Sequence, residues 1–87
     1  MSSDPAFNMA AQLLGAMLNV QVGAGICPNF LTAIQEGQAL LFNHSFNGNT
    51  YSAFSAAEAT VANTLATYLD NYNNNKPCPA SPPPLLP

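Results

Sequence analysis

Apolar side chains recur at spacings of three and four residues in three separate stretches of the chain, each closed off by Gly, Asn or Pro. In the first stretch Phe7, Ala10, Ala11, Leu14, Met17 and Leu18 make one helical stripe, widened by Leu13 and Val20. Asp4-Pro5 supplies its start, because a carboxylate can cap free amides and proline at the first helical position loses no hydrogen bond. Gly15 either weakens this helix or lets a neighbour approach closely. Gly23 and Gly25 are candidate left-handed caps. The predicted helix covers residues 5–22, about 27 Å of axis.

The second stretch begins at Cys27-Pro28, again with proline in the first turn. Phe30, Leu31, Ile34, Ala39, Leu41 and Phe42 are its apolar positions, Gln35, Glu36 and Gln38 its wet side, and Gly37 a weak point. It is expected to stop near Asn43-His44. The third opens on Ser55-Ala56-Ala57-Glu58, a capping-box pattern with a hydroxyl at the N-cap and a carboxylate three residues on. Ala57, Val61, Leu65, Tyr68 and Tyr72 form its stripe, with Leu69 beside them. Residues 71–75 have low helix propensity and predict a frayed end.

Between the second and third helices, residues 45–54 carry an Asn47-Gly48 turn signal. A short β-hairpin is the alternative, but an isolated two-stranded hairpin is marginal. A loop that lays Phe46, Tyr51 and Phe54 on the helices is therefore expected. After Cys78, residues 79–87 are Pro-rich and read as an extended, solvated tail or linker. The expected fold is all-α: an antiparallel three-helix bundle over residues 4–78, followed by that tail.

The two cysteines test this arrangement. In an antiparallel pair the start of the second helix lies beside the end of the third, and Cys27 and Cys78 sit at those two places. A disulfide between them is expected, worth about 4 kcal/mol in the chain-entropy view. A zinc site is not, since His44 belongs at the opposite end of the second helix from Cys27.

Composition narrows the functions. Hydrophobic residues make up 48% of the chain but charged residues only 6%, where about 25% is usual. There is no Arg, and Lys76 is the one Lys. No basic patch can neutralise a phosphate backbone or an anionic membrane, so neither nucleic acid nor membrane insertion is expected. The longest apolar stretch, residues 10–22, is broken by Gln12, Gly15, Asn19 and Gln21 and falls short of the roughly 20 residues a bilayer needs. Met1-Ser2-Ser3-Asp4 lacks a positive leader; residues 1–3 read as a start Met plus linker, with any export signal upstream in a longer parent.

Chemistry-bearing residues are sparse. His44 has Ser45 beside it but no acid near in sequence, and reads as a polar residue facing a helix C-terminal dipole. Asp4, Glu36, Glu58 and Asp70 are scattered, with no pair spaced for acid–base work. Asp70 and the asparagines after it offer oxygen ligands, yet a calcium loop normally brings several carboxylates. Asn43-His44-Ser45 matches the glycosylation pattern, a chance match outside a eukaryotic secretory pathway. Thr60, Thr64 and Thr67 align on the third helix as ordinary surface. No catalytic residue, cofactor or metal is expected. Tyr51, Phe54, Asn73 and Asn74 are the candidate ligand face.

The run AAQLLGAMLNVQVGAGICP, followed far downstream by LATYLDNYNNNKPCP, resembles a helical module found near the C-termini of large extracellular multidomain bacterial proteins. The resemblance spans residues 6–79 and rests on Leu-Asn-Val, the Gly-x-Gly-x-Cys corner and the Tyr-Asn-Asn ending before the last Cys. It implies an extracellular or cell-surface location and a modular role, with neighbouring domains or another extracellular protein as partner. That family has no assigned activity, so no functional residue carries over. A structural or protein-interaction module is the leading expectation and a glycan- or surface-recognising module the alternative. Exposed Tyr51 and Phe54 beside a groove would favour the second, and their burial on the bundle the first.

Overall fold

The computed structural model describes residues 4–84; the readings of residues 1–3 and 85–87 fall outside that range. Three helices follow in order: α1 (Pro5–Gln21), α2 (Pro28–Asn43) and α3 (Ala56–Asn73). Residues 45–54 form a loop with no strand. Asp4 caps α1 by accepting from the amides of Ala6 (2.8 Å) and Phe7 (3.1 Å). Ser55 and Glu58 complete the capping box of α3 in both directions.

All three helices end in the same way. The two amides after each C-cap reach back to the second- and third-last helical carbonyls, the Schellman arrangement, with a left-handed residue between. That residue is Gly23 after α1, Ser45 after α2 and Asn75 after α3. The end of α3 is therefore sealed where fraying was expected: the asparagines that weaken a helix interior are suited to the turn that stops one.

The core is built from Met9, Leu13 and Ala16 of α1, Phe30, Ala33, Ile34 and Leu40 of α2, and Ala62, Leu65, Leu69 and Tyr72 of α3. This corrects the expected stripes. Leu14, Met17 and Leu18 face outward, with Leu14 61% exposed. On α2, Leu31 and Phe42 point out and Ala33, Gly37 and Leu40 point in. On α3, Ala57 is exposed and Ala62 is buried. α1 carries large apolar residues both inside (Met9, Leu13) and outside (Leu14, Leu18), so their hydrophobicity alone does not select the face. The small residues select it: Ala6 and Ala16 are wholly buried, and close packing needs flat surfaces.

Gly15 shows the same principle. A Cβ there would stand 3.0 Å from the Asn73 carboxamide, so Gly15 is the close-approach glycine of the two alternatives. Asn73 uses that opening to donate to the Gln12 carbonyl (3.1 Å) and side chain (2.9 Å), and accepts from Asn19 at 3.0 Å. These bonds tie the end of α3 to α1. Tyr72 adds a bond from its hydroxyl to the Gly25 carbonyl at 3.0 Å. The start of α2 thus lies with the ends of α1 and α3, and the end of α2 with their starts.

The stretch after Cys78 is not simply solvated. The Pro79 carbonyl accepts from Asn29 (2.8 Å), the Ser81 carbonyl accepts from Tyr68 (3.2 Å), and Pro83 is buried. Ala80, Ser81, Pro82 and Pro84 remain exposed. Proline carries little conformational entropy to lose, so a few anchors suffice to hold such a segment.

Candidate functional site

Polar chemistry collects at the two ends of the bundle. At one end Cys27 and Cys78 form a disulfide, with S–S 2.01 Å and Cα atoms 6.2 Å apart, closing 51 residues of sequence. Cys27 is the N-cap of α2 and Cys78 follows the α3 turn, as the helix reading required. A shallow cleft beside the bond is lined by Gly25, Phe30, Tyr72, Asn75 and Lys76.

The other end holds His44, the C-cap of α2. Its Nε2 lies 2.6 Å from Glu58 Oε2, and its Nδ1 lies 2.8 Å from the Ser52 carbonyl and 3.1 Å from the Ser52 hydroxyl. The expectation that no acid reaches His44 is thereby corrected. Glu58 was legible as a cap, and its Oε1 does cap Ser55; its second oxygen crosses to α2. Fourteen residues separate the pair, and only the loop path brings them together.

Serine, histidine and carboxylate are in contact here, and which of them donates depends on the charge of the ring. A carbonyl and a carboxylate can only accept, so the charged ring, with both nitrogens donating, is the form that satisfies both contacts at once. In that charged form no lone pair is left to take the Ser52 proton, and the Ser52 hydroxyl donates to the His44 carbonyl at 3.2 Å. The Glu58 contact raises the His44 pKa above its ordinary 6.5, with help from the Ser52 carbonyl. Glu58 in turn is lowered, first by the Ser55 amide and then by His44.

Around this pair the loop aromatics form one cluster. Phe54 meets the His44 ring edge-on at 4.6 Å and Tyr51 at 5.2 Å. Phe7 of α1 meets Phe46 at 5.1 Å and Tyr51 at 5.9 Å. The Tyr51 hydroxyl donates to Asp4 Oδ2 at 2.6 Å, which lowers the Asp4 pKa and raises that of Tyr51. Asp4–Tyr51 is a second contact the sequence did not announce; a Tyr in a loop and a helix-capping Asp carry no pairwise signal.

The four residues of the candidate ligand face are not brought together. Tyr51 and Phe54 are half-buried in the aromatic cluster, near the start of α1. Asn73 is turned inward beside Gly15, and the Asn74 side chain donates to Asp70 Oδ1 (3.0 Å) and to the Asp70 carbonyl (2.8 Å) at the opposite end. The Asp70 carboxylate is thus engaged in closing the helix. Among the described residues no three His, Cys, Asp or Glu side chains are grouped to hold a metal ion. Thr60, Thr64 and Thr67 each donate to the carbonyl four residues back.

No family model, no curated protein and no solved structure matches the chain. Among the described residues no helix is long and apolar enough to cross a membrane.

Proposed function

We propose that this chain is a structural or protein-interaction module of an exported bacterial surface protein, stapled by its disulfide and non-catalytic. The observation that carries this reading is the outward apolar surface of α1 and α2. Leu14 and Leu18 lie one turn apart on α1, and Leu31 and Phe42, the latter 83% exposed, share one stripe of α2. Met17 and Val20 face Leu31 and Ile34 across the shallow groove between the two helices. Large apolar side chains left exposed on two neighbouring helices favour contact with another protein. The disulfide supports an oxidising compartment, and the partner is a neighbouring domain of a longer parent or another extracellular protein. The engagement of Tyr51, Phe54, Asn73 and Asn74 within the fold lends the ligand-binding alternative no support.

The test has two parts in the native host. Surface biotinylation should label the protein with its thiols oxidised, and recovery from the cytosol with free thiols would overturn export. Leu18→Ser with Phe42→Ser should abolish cross-linking to the partner while stability stays within about 0.5 kcal/mol, as for other exposed positions. Undiminished cross-linking would remove this face from the interface.

A further inference from the structure

The end of the bundle where residues 44–58 return from α2 to α3 carries an arrangement that a purely structural capping role does not require. One residue, Ser52, presents both an acceptor and a hydroxyl to the same ring nitrogen: its carbonyl at 2.8 Å and its Oγ at 3.1 Å from His44 Nδ1. The other nitrogen faces a carboxylate that the capping box holds in place through its second oxygen. Ser52 sits directly after Tyr51 and two residues before Phe54, the rings that join the loop to Phe7 and to His44 itself. We propose that His44 is a proton-operated clasp, closing residues 45–54 onto the bundle end when charged and releasing the Ser52 carbonyl when neutral.

The two states follow from hydrogen-bond bookkeeping. The charged ring donates to Glu58 and to the Ser52 carbonyl at once. A neutral ring has one N–H, which stays on Nε2 because the carboxylate is the stronger acceptor. The Nδ1 lone pair then confronts the carbonyl lone pairs. Ser52 resolves the conflict by turning its hydroxyl from the His44 carbonyl to Nδ1, and the peptide that holds its own carbonyl rotates away. Because Tyr51 and Phe54 flank that peptide, their packing on Phe7 and His44 loosens with it.

The charged groups around the clasp set its working range. Glu58 faces the ring from α3; Asp4, at the start of α1, is joined to the loop through Tyr51; Glu36 is the one acid of α2, about 12 Å back along its axis. His44 has a raised pKa, so its contribution is full below 6.5 and is lost as pH rises through the higher folded value. Glu58 and Asp4 are lowered, so theirs are full above 4.5 and 3.8 and are lost as pH falls below those values. The clasp is closed between these limits and opens on the alkaline side.

NMR titration of the intact protein tests this. The His44 ring protons should titrate with a midpoint above 6.5, and the Ser52 amide and Tyr51 ring signals should move with the same midpoint while Tyr72 and Asn73 stay still. Protection of the loop amides, corrected for intrinsic exchange, should fall about tenfold for each unit by which the folded pKa is raised. Glu58→Gln keeps an oxygen for the Ser55 amide and should draw the His44 midpoint back toward 6.5; His44→Gln should abolish the alkaline transition of the loop. A His44 midpoint at or below 6.5, or loop signals that ignore it, would overturn the proposal.

Discussion

The two ends of this bundle are held by different physics. At the Cys27–Cys78 end the contacts are a covalent bond and neutral amides: Asn73 on Gln12 and Asn19, and Tyr72 on Gly25. At the His44 end they are charged or aromatic: His44 on Glu58, Tyr51 on Asp4, and the rings of Phe7, Phe46 and Phe54. The chain has four acids in all, and two of them, Asp4 and Glu58, serve this one end. One end is therefore held by a bond that a reductant cuts, and the other by an ion pair that proton concentration sets. A small domain with almost no charge can still carry two separately addressable ends.

The contrast is broken most severely at the staple. Cys27→Ser with Cys78→Ser should cost about 4 kcal/mol, read by chemical denaturation. Hydrogen exchange should then rise around Tyr72 and Asn73, while the alkaline transition of residues 45–54 persists. Loss of that transition along with the staple would show that the ends are coupled.

A pair of glycine variants sharpens what holds the stapled end together. Gly15→Ala pushes a methyl to 3.0 Å from the Asn73 carboxamide and should cost about 1–3 kcal/mol through overpacking and disrupted bonds. Gly37→Ala meets Leu13 and Met9 only at 3.7 Å, an ordinary contact. It should stabilise by about 0.5–1 kcal/mol, because alanine favours the helix. Equal effects of the two in thermal melts would contradict the close approach of Asn73 to α1.

A comparably small effect belongs to the clasped end. Ser45 holds φ at 55° at the stop of α2, a conformation that costs an L-residue about 1–2 kcal/mol. Ser45→Gly should recover about 1 kcal/mol of this, measured as a higher melting temperature, with the His44 titration unmoved. A shifted His44 midpoint would mean that the strain at Ser45 helps to position the ring.

Much of this architecture was legible along the chain, because its signals are local. Asp4-Pro5, Cys27-Pro28 and the Ser55–Glu58 box each state a helix start within four residues, and the observed helices begin there. The facing of the helices was not legible. Leu13 and Leu14 are adjacent and equally hydrophobic, and the burial of Ala6 and Ala16 with the approach of Asn73 to Gly15 marks which side of α1 is inside. The polar ends were legible in part. The cysteine pair has a partner of its own kind to look for, whereas Glu58 had already been accounted for by its cap, and a carboxylate has a second oxygen that no sequence rule assigns. Asn73 was misjudged for a related reason: an amide that lowers helix propensity can still be the residue that joins two helices.

The position of the disulfide has a mechanical consequence. A pull applied between Asp4 and residue 84 runs through α1 to Cys27, crosses the sulfur bridge to Cys78, and leaves along the proline segment. α2, the aromatic loop and α3 lie on the closed side of that bridge, outside the load path. Tension unravels α1 and residues 22–27, releasing at most about 83 Å of contour for those residues. The 51-residue separation spanned by the bridge stays at fixed length until a reductant cuts it, so the module behaves as a tether with a built-in stop.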